Sequence, residues 1–258
     1  MKTQEKILVP RKKYLQQLIT WREKDLIKVT TGVRRCGKST LFALYIAYLK
    51  EQGVSDRQII SINLEDIKNE DLLDYHALYK HITDLLQSDV YTYVFIDEIQ
   101  QCKSFEKAVD SLFIKDKVDV YITGSNSKML SSDIHTALRG RSIEIRVHTL
   151  SFSEYFSFVG GDKDKAFRDY QLYEGFPYAA TEQDSDLKIQ YLKMLQDTVA
   201  TRNVIERYSI RNVSAFYATY DFLCSNIGST VSAKKISDTL KSNGYKTITA
   251  DTIGNYLT

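Results

Sequence analysis

The sequence predicts an α/β fold: a parallel sheet of five strands with helices on both faces, followed by a region that is helical throughout. Three observations predict it. Apolar, β-branched runs alternate with amphipathic helical stretches through residues 26–150. Those runs are almost continuously apolar, as strands covered on both faces are. The first passes directly into a glycine-bearing loop and then a helix, "LIKVTTGVRRCGKSTLFALYIAYLK".

In chain order, "RKKYLQQLITWREKD" (11–25) carries Tyr14, Leu15, Leu18 and Ile19 at helical spacing, which predicts an amphipathic helix leading into the first strand, "LIKVT" (26–30). From Ser39 to Gln52, Leu41, Phe42, Leu44, Tyr45, Tyr48 and Leu49 recur with the helical period, and Gly53 ends the pattern. Further strands are expected at "QIISINLED" (58–66), "YTYVFIDEIQ" (91–100), "KVDVYITGSN" (117–126) and "SIEIRVHTL" (142–150). Helices are expected between them, one over "SKMLSSDIHTALRGR", with right-handed crossovers. The charged, glycine-bearing "VGGDKDK" (159–165) predicts a boundary. Beyond it, "AFRDYQLYEGFPYAA", "DLKIQYLKMLQDTVATRNVIERY" and "VSAFYATYDFLCSNIG" read as helices. The expected organisation is an α/β domain over 1–158, a helical lid or linker over 165–212 and a terminal helical domain over 213–258.

Length and composition exclude more than they assign. A chain of 258 residues with 43% hydrophobic and 26% charged residues is an ordinary globular composition. Its net charge of +2, from 35 basic and 33 acidic residues, gives no chain-wide footprint for nucleic acid or membrane. The start lacks a secretory signal and no run approaches a membrane span, so a soluble, cytoplasmic protein without membrane partners is expected. Cys36, Cys102 and Cys224 lack metal or redox spacing and are expected as free thiols. His76, His81, His135 and His148 are scattered without metal spacing. The 18 tyrosines are expected to pack their rings while their hydroxyls reach water.

The loop after the first strand carries the chemistry. Gly32, Gly37, Lys38 and Ser39 match glycine, four residues, glycine, lysine and a hydroxyl, the phosphate-binding Walker A pattern. Glycines permit the backbone angles that turn successive N–H groups inward, and the following helix offers its positive end to an anion. The loop Gly32, Val33, Arg34, Arg35, Cys36, Gly37, Lys38, Ser39 and Thr40 is therefore expected to hold a nucleotide polyphosphate, with Lys38 on the β and γ phosphates and Ser39 on Mg²⁺. Cys36 fills space there. In "VFIDEIQ", Asp97 ends an apolar strand and is expected to complete the Mg²⁺ shell, while Glu98 deprotonates the attacking water. "ITGSN" puts Ser125 or Asn126 at the tip of a neighbouring strand, where either can contact the γ phosphate.

Taken in order, "GVRRCGKST", "INLED", "VFIDEIQ", "ITGSNSKML", "LRGRSIEIRVHTLSFSEYF" and "EGFPYAA" resemble the bacterial and archaeal AAA-type ATPases of the AAA_14/DUF4143 family over nearly the whole chain. The resemblance implies a P-loop NTPase core of the AAA+ type, similar to archaeal and initiator-type ATPases, continuing into a winged-helix domain. It also implies a role for "LRGR", in which Arg139 or Arg141 serves as an arginine finger on a neighbouring subunit or as an internal γ-phosphate contact. Thr149 stands where that family usually has proline, and Glu174 where it has the first glycine of "GGFP".

At the end of the chain, Ile236 and Leu240 form one apolar helical face and Gly244 sits near a turn. Thr249 caps a second helix carrying Ile253, Tyr256 and Leu257, the pattern of a helix-turn-helix. DNA binding there would use Lys234, Lys235, Lys241 and Lys246 on phosphates. With no wing strands before Thr258, the winged helix is expected to be truncated. The functional expectation is an Mg²⁺-dependent ATPase that moves its helical region against a protein, nucleic-acid or like-subunit partner. The alternative is a nucleotide-gated DNA- or protein-binding switch with little turnover. A small-molecule kinase fits poorly, because the adjacent Asp97 and Glu98 favour water as acceptor.

Overall fold

The computed structural model describes residues 9–124, 138, 140–199, 204–205 and 209–257. It divides into two compact units, Met1–Lys193 and Met194–Thr258.

In the first unit, α1 (Lys12–Thr20) precedes β1 (Ile27–Thr31), and α2 (Lys38–Glu51) follows it. Then come β2 (Ile59–Asn63), α3 (Tyr75–Leu85), β3 (Thr92–Asp97), α4 (Phe105–Phe113), β4 (Val118–Gly124) and β5 (Ser142–Arg146). The strands form one sheet in the order β2-β3-β4-β1-β5, and every pairing is parallel. This is the expected five-stranded sheet, and β1, the strand that feeds the glycine loop, lies inside it. The helix expected over 127–141 falls largely outside the described residues.

Period-two alternation splits the core into two chemistries. On one face, Val94 and Ile96 of β3, Val120 and Ile122 of β4 and Val29 of β1 meet Leu78 and Ile82 of α3 and Val109 and Leu112 of α4. The other face is aromatic: Tyr93, Phe95 and Tyr121 meet Tyr14 and Leu18 of α1 and Leu41, Phe42, Tyr45 and Leu49 of α2. Phe95 and Tyr121 stack with ring centroids 4.8 Å apart, and Tyr45 lies 5.3 Å from Tyr121. The expectation that tyrosine hydroxyls reach water fails here. Tyr45 and Tyr121 are fully buried and their hydroxyls pair at 3.0 Å.

That pair belongs to a buried polar cluster at the N-terminal ends of the strands. Lys28 Nζ donates to Asp119 Oδ1 at 2.5 Å and to the Lys24 carbonyl at 2.8 Å. Asp119 Oδ2 accepts from the Glu23 N–H at 2.8 Å and from the Tyr121 hydroxyl at 2.7 Å. Each buried polar atom thereby keeps a partner, which burial requires.

Helices α5 (Phe152–Val159), α6 (Lys163–Tyr173) and α7 (Pro177–Thr181) complete the unit, and α8 (Ser185–Val199) crosses the division between the two. Ser151 and Glu154 form a capping box that starts α5. Within the stretch 159–165 only 160–162 lie outside the helices, where Gly160 ends α5 and Asp162 caps α6, and these helices pack through Tyr155, Ala166 and Tyr170.

The second unit contains α9 (Val213–Ser225), α10 (Ala233–Ser242) and α11 (Ala250–Leu257). Ala215, Ile236, Leu240, Ile248 and Ile253 form its small core. Ser232 caps α10, and Thr249 accepts the Thr252 N–H at the start of α11. The connection between α10 and α11 spans 243–249, longer than the roughly three to four residues of a helix-turn-helix.

Candidate nucleotide-binding site

The loop leaves β1 at Thr31 and enters α2 at Lys38. Its shape rests on residues at positive φ. Gly32 has φ +151, and a Cβ added there would lie 2.2 Å from the Val147 carbonyl oxygen, so the backbone just after β5 packs where only glycine fits. Gly37 caps α2 in the left-handed region at φ 103 and, as glycine, offers the first-turn N–H groups no side-chain cap. Those N–H groups, with the helix dipole behind them, form an anion cradle.

Lys38 is buried but reaches back across the loop. Its Nζ donates to the Gly32 carbonyl at 3.2 Å and the Val33 carbonyl at 3.3 Å, and lies 3.9 Å from Glu98 Oε1. Residues 60 positions apart in sequence, Lys38 and Glu98, therefore face each other (98 − 38). Ser39 is exposed on the first turn of α2 and Thr40 beside it is half-buried. Cys36 is buried, and burial pushes its thiol above the ordinary value, the behaviour of a packing residue and not of a nucleophile. Arg34 pairs with Glu65 at 3.1 Å on the surface, Val33 is exposed, and the Arg35 guanidinium lies 5.6 Å from the centre of the Tyr191 ring.

Asp97 sits at the C-terminal end of β3, and Glu98 turns out of the strand in the left-handed region at φ 55. Thr123 of β4 holds both. Its hydroxyl donates to Asp97 Oδ1 and accepts the Glu98 N–H at 3.0 Å. Gln100 Nε2 donates to Glu98 Oε2 at 2.5 Å. Beneath the loop, Arg11 is 2% exposed and links three segments. It donates to the Cys36 carbonyl at 2.9 Å, the His148 carbonyl at 2.7 Å and Glu154 at 3.0 Å.

Ser125, Asn126 and Arg139 lie outside the described residues. Arg141 is described, and its position corrects one expectation. Its carbonyl accepts the Ile27 N–H at 2.8 Å, at the start of β1, and its guanidinium lies 5.7 Å from the Phe113 ring centre. The loop leaves the other end of β1, about 13 Å away at ~3.3 Å per residue. An internal γ-phosphate contact from Arg141 does not fit that placement. Thr123, Gln100 and Arg11 were not singled out by sequence. Thr123 precedes Gly124 within "ITGSN", and Gln100 ends "VFIDEIQ", so both lie inside motifs that the sequence itself displays.

The donor set suits Mg²⁺ and a polyphosphate. Ser39 and Asp97 could offer hard oxygen ligands, Lys38 a compact cation and the loop its backbone N–H groups. Among the described residues no group of three or more His, Cys, Asp or Glu could hold a metal alone.

A parallel sheet ordered β2-β3-β4-β1-β5, with a phosphate loop on β1 and paired carboxylates at the tip of β3, defines a P-loop ATPase of the AAA type. The AAA_14 family model, an AAA domain, matches residues 24–156, and the chain belongs to that family. Residues 164–258 match a second model, a domain of unknown function, DUF8612, in the region where the resemblance to the AAA_14/DUF4143 family implied a winged helix. An uncharacterized protein of Haemophilus influenzae is 34% identical over 260 residues, covering 98% of this chain and 64% of that protein. The uncharacterized protein MJ1544 of Methanocaldococcus jannaschii is 31% identical over 252 residues, covering 90% and 53%. The chain thus spans between about half and two thirds of these relatives' lengths. Among solved structures, the Walker-type ATPase PABY2304 of Pyrococcus abyssi superposes with a TM-score of 0.58 at 17% identity, over 96% of this chain and 88% of that one. That likeness supports the fold. No helix among the described residues is long and apolar enough to cross a membrane.

Proposed function

We propose that the chain binds Mg²⁺·ATP in the loop 32–40 and hydrolyses it to ADP and phosphate. The observation that carries this reading is the meeting of Lys38 with Glu98, 3.9 Å apart, beside Asp97 at the end of β3. Lys38 is within reach of loop-bound phosphates, and Ser39 and Asp97 are the oxygen ligands for the metal. Mg²⁺ supplies charge neutralisation at the phosphate oxygens. Glu98 accepts a proton from water as that water's oxygen bonds to the γ phosphorus, while the bond from the γ phosphorus to the bridging oxygen breaks and ADP departs. Phosphate draws Lys38 from Glu98, which weakens the hold on the carboxylate that receives the proton.

Glu98→Gln tests the assignment. The variant should bind a fluorescent ATP analogue with Mg²⁺ as wild type does and lose about 10²-fold or more of its turnover. Unchanged turnover would remove Glu98 from the mechanism, and a wild-type chain that binds no nucleotide would remove the reading altogether.

A second reading, a nucleotide-gated switch that engages DNA or a protein, draws on the second unit. Lys234, Lys235, Lys241 and Lys246 are all exposed on α10 and the connection after it. Basal turnover measured with and without duplex DNA at two salt concentrations separates the readings. Salt-sensitive binding with negligible turnover supports the switch.

A further inference from the structure

The environment of Glu98 contains a group that the hydrolytic reading does not use. Gln100 follows it by two residues on the short turn Ile99–Gln101, and its Nε2 donates to Glu98 Oε2 at 2.5 Å. A carboxylate only accepts hydrogen bonds, so the amide orientation is fixed, with nitrogen toward Glu98. Gln100 Oε1 is then turned away, buried, and accepts no hydrogen bond among the described residues. A side chain that leaves a buried acceptor unmatched to direct its donor at one carboxylate is placed for that carboxylate.

The rest of the geometry leaves this clamp a specific task. The Glu98 backbone is held in the left-handed region at φ 55, with its N–H on Thr123. The side chain beyond it is long and rotatable. Its two oxygens are held from different sides, Oε1 facing Lys38 at 3.9 Å and Oε2 on Gln100. On the ATPase reading, on which this inference rests, Lys38 turns to phosphate once nucleotide binds. Gln100 sits two residues along the same turn, so its contact with Glu98 does not depend on where Lys38 points.

We propose that Gln100 is a positioning residue for hydrolysis, holding Glu98 Oε2 so that the other carboxylate oxygen stays aimed at the attacking water after Lys38 has left it. The amide takes up no proton and touches no phosphate. Its effect is confined to the chemical step.

The test uses the chain as it exists, with Gln100→Ala and Gln100→Met, the latter keeping size and shape without the donor. Steady-state hydrolysis, binding of a fluorescent ATP analogue with Mg²⁺, and thermal unfolding are measured for each, and single-turnover rates are repeated in the Glu98→Gln background. Both variants should lower kcat about tenfold, a share of the 10²–10⁴-fold a general base supplies. KM, analogue affinity and, for Gln100→Met, the melting temperature should stay near wild type. Neither variant should slow the Glu98→Gln chain further, because a residue acting only through Glu98 has nothing left to position. Three results overturn the proposal: kcat within twofold of wild type in Gln100→Met, an equal loss in the Glu98→Gln background, or a loss confined to KM. A wild-type chain that binds the analogue without hydrolysing it defeats the ATPase reading first, and is told apart because no variant is needed to see it.

Discussion

Replacing Asp119 with Ala should strip a fully buried ammonium of its partner and cost about 3–5 kcal/mol. Lys28 is 0% exposed and Asp119 2%, with 2.5 Å between Nζ and Oδ1. Asp119 also accepts the Glu23 N–H and the Tyr121 hydroxyl, so three donors lose their acceptor at once. Lys28→Met leaves the carboxylate with two of those donors and should cost less, about 2–3 kcal/mol. At roughly 2–4 °C per kcal/mol for a unit of this size, Asp119→Ala lowers the melting temperature by about 6–20 °C. The double variant Lys28→Met/Asp119→Leu removes both charges and should recover most of the loss. Burial, the largest influence on each, holds the Asp119 carboxyl above its ordinary 3.8 and the Lys28 ammonium below its ordinary 10.5. The Asp119 contribution is therefore complete below 3.8 and lost as pH rises through the folded value. The Lys28 contribution is complete above 10.5 and lost as pH falls through its folded value. Thermal melts followed by circular dichroism across pH measure all of this. Because the pair lies at the end of the sheet opposite the loop, nucleotide binding at low temperature should survive. A melting loss under about 2 °C for Asp119→Ala, or a double variant worse than the sum of the singles, would refute the reasoning.

Other consequences are checked as simply. Gly32→Ala places a methyl 2.2 Å from the Val147 carbonyl oxygen and should cost at least about 2 kcal/mol in urea unfolding. Gly37→Ala meets nothing closer than 3.7 Å, so its cost is the left-handed backbone alone, about 1–2 kcal/mol, and equal losses at the two sites would contradict this. Glu174 adopts φ 57 and ψ −174, a region essentially reserved for glycine, so Glu174→Gly should stabilise by about 1 kcal/mol and raise the melting temperature. A lowered melting temperature would show that the strain is absent. Cys224 is exposed while Cys36 and Cys102 are buried, Cys102 pushed up to about 11, so iodoacetamide at neutral pH should modify Cys224 alone. Labelling of the two buried thiols should rise only as pH climbs past the ordinary thiol range, and prompt modification of Cys36 would show that the loop opens.

The loop and the sheet were legible because each rests on a local rule. Spacing between Gly32, Gly37 and Lys38 specifies backbone angles and a helix end, and the nearly continuous apolar run in "TYVFID" specifies a strand buried on both faces. Glu174 was legible as a departure, since it stands where the family resemblance calls for glycine, and the backbone there does take positive φ. Arg11 was not legible, because its role comes from burial against carbonyls 25 and 137 residues away, and no local pattern encodes such partners. The same holds for Thr123 and Gln100, whose side chains matter through the orientation they impose on Asp97 and Glu98.

One long-range feature did leave a trace in the sequence. Lys28 interrupts "LIKVT" and Asp119 interrupts "KVDVY", two opposite charges inside strands otherwise expected to be buried. An ionised side chain on a doubly covered strand is costly unless paired, so each lesion in the apolar pattern implies the other. The register shows how they meet. Lys28 lies beside Tyr121, two residues beyond Asp119 and on the same face of the neighbouring strand, and the Tyr121 hydroxyl joins the carboxylate. A lone charge in a central strand therefore carries information about its neighbour, and the two charges together require β1 to lie beside β4.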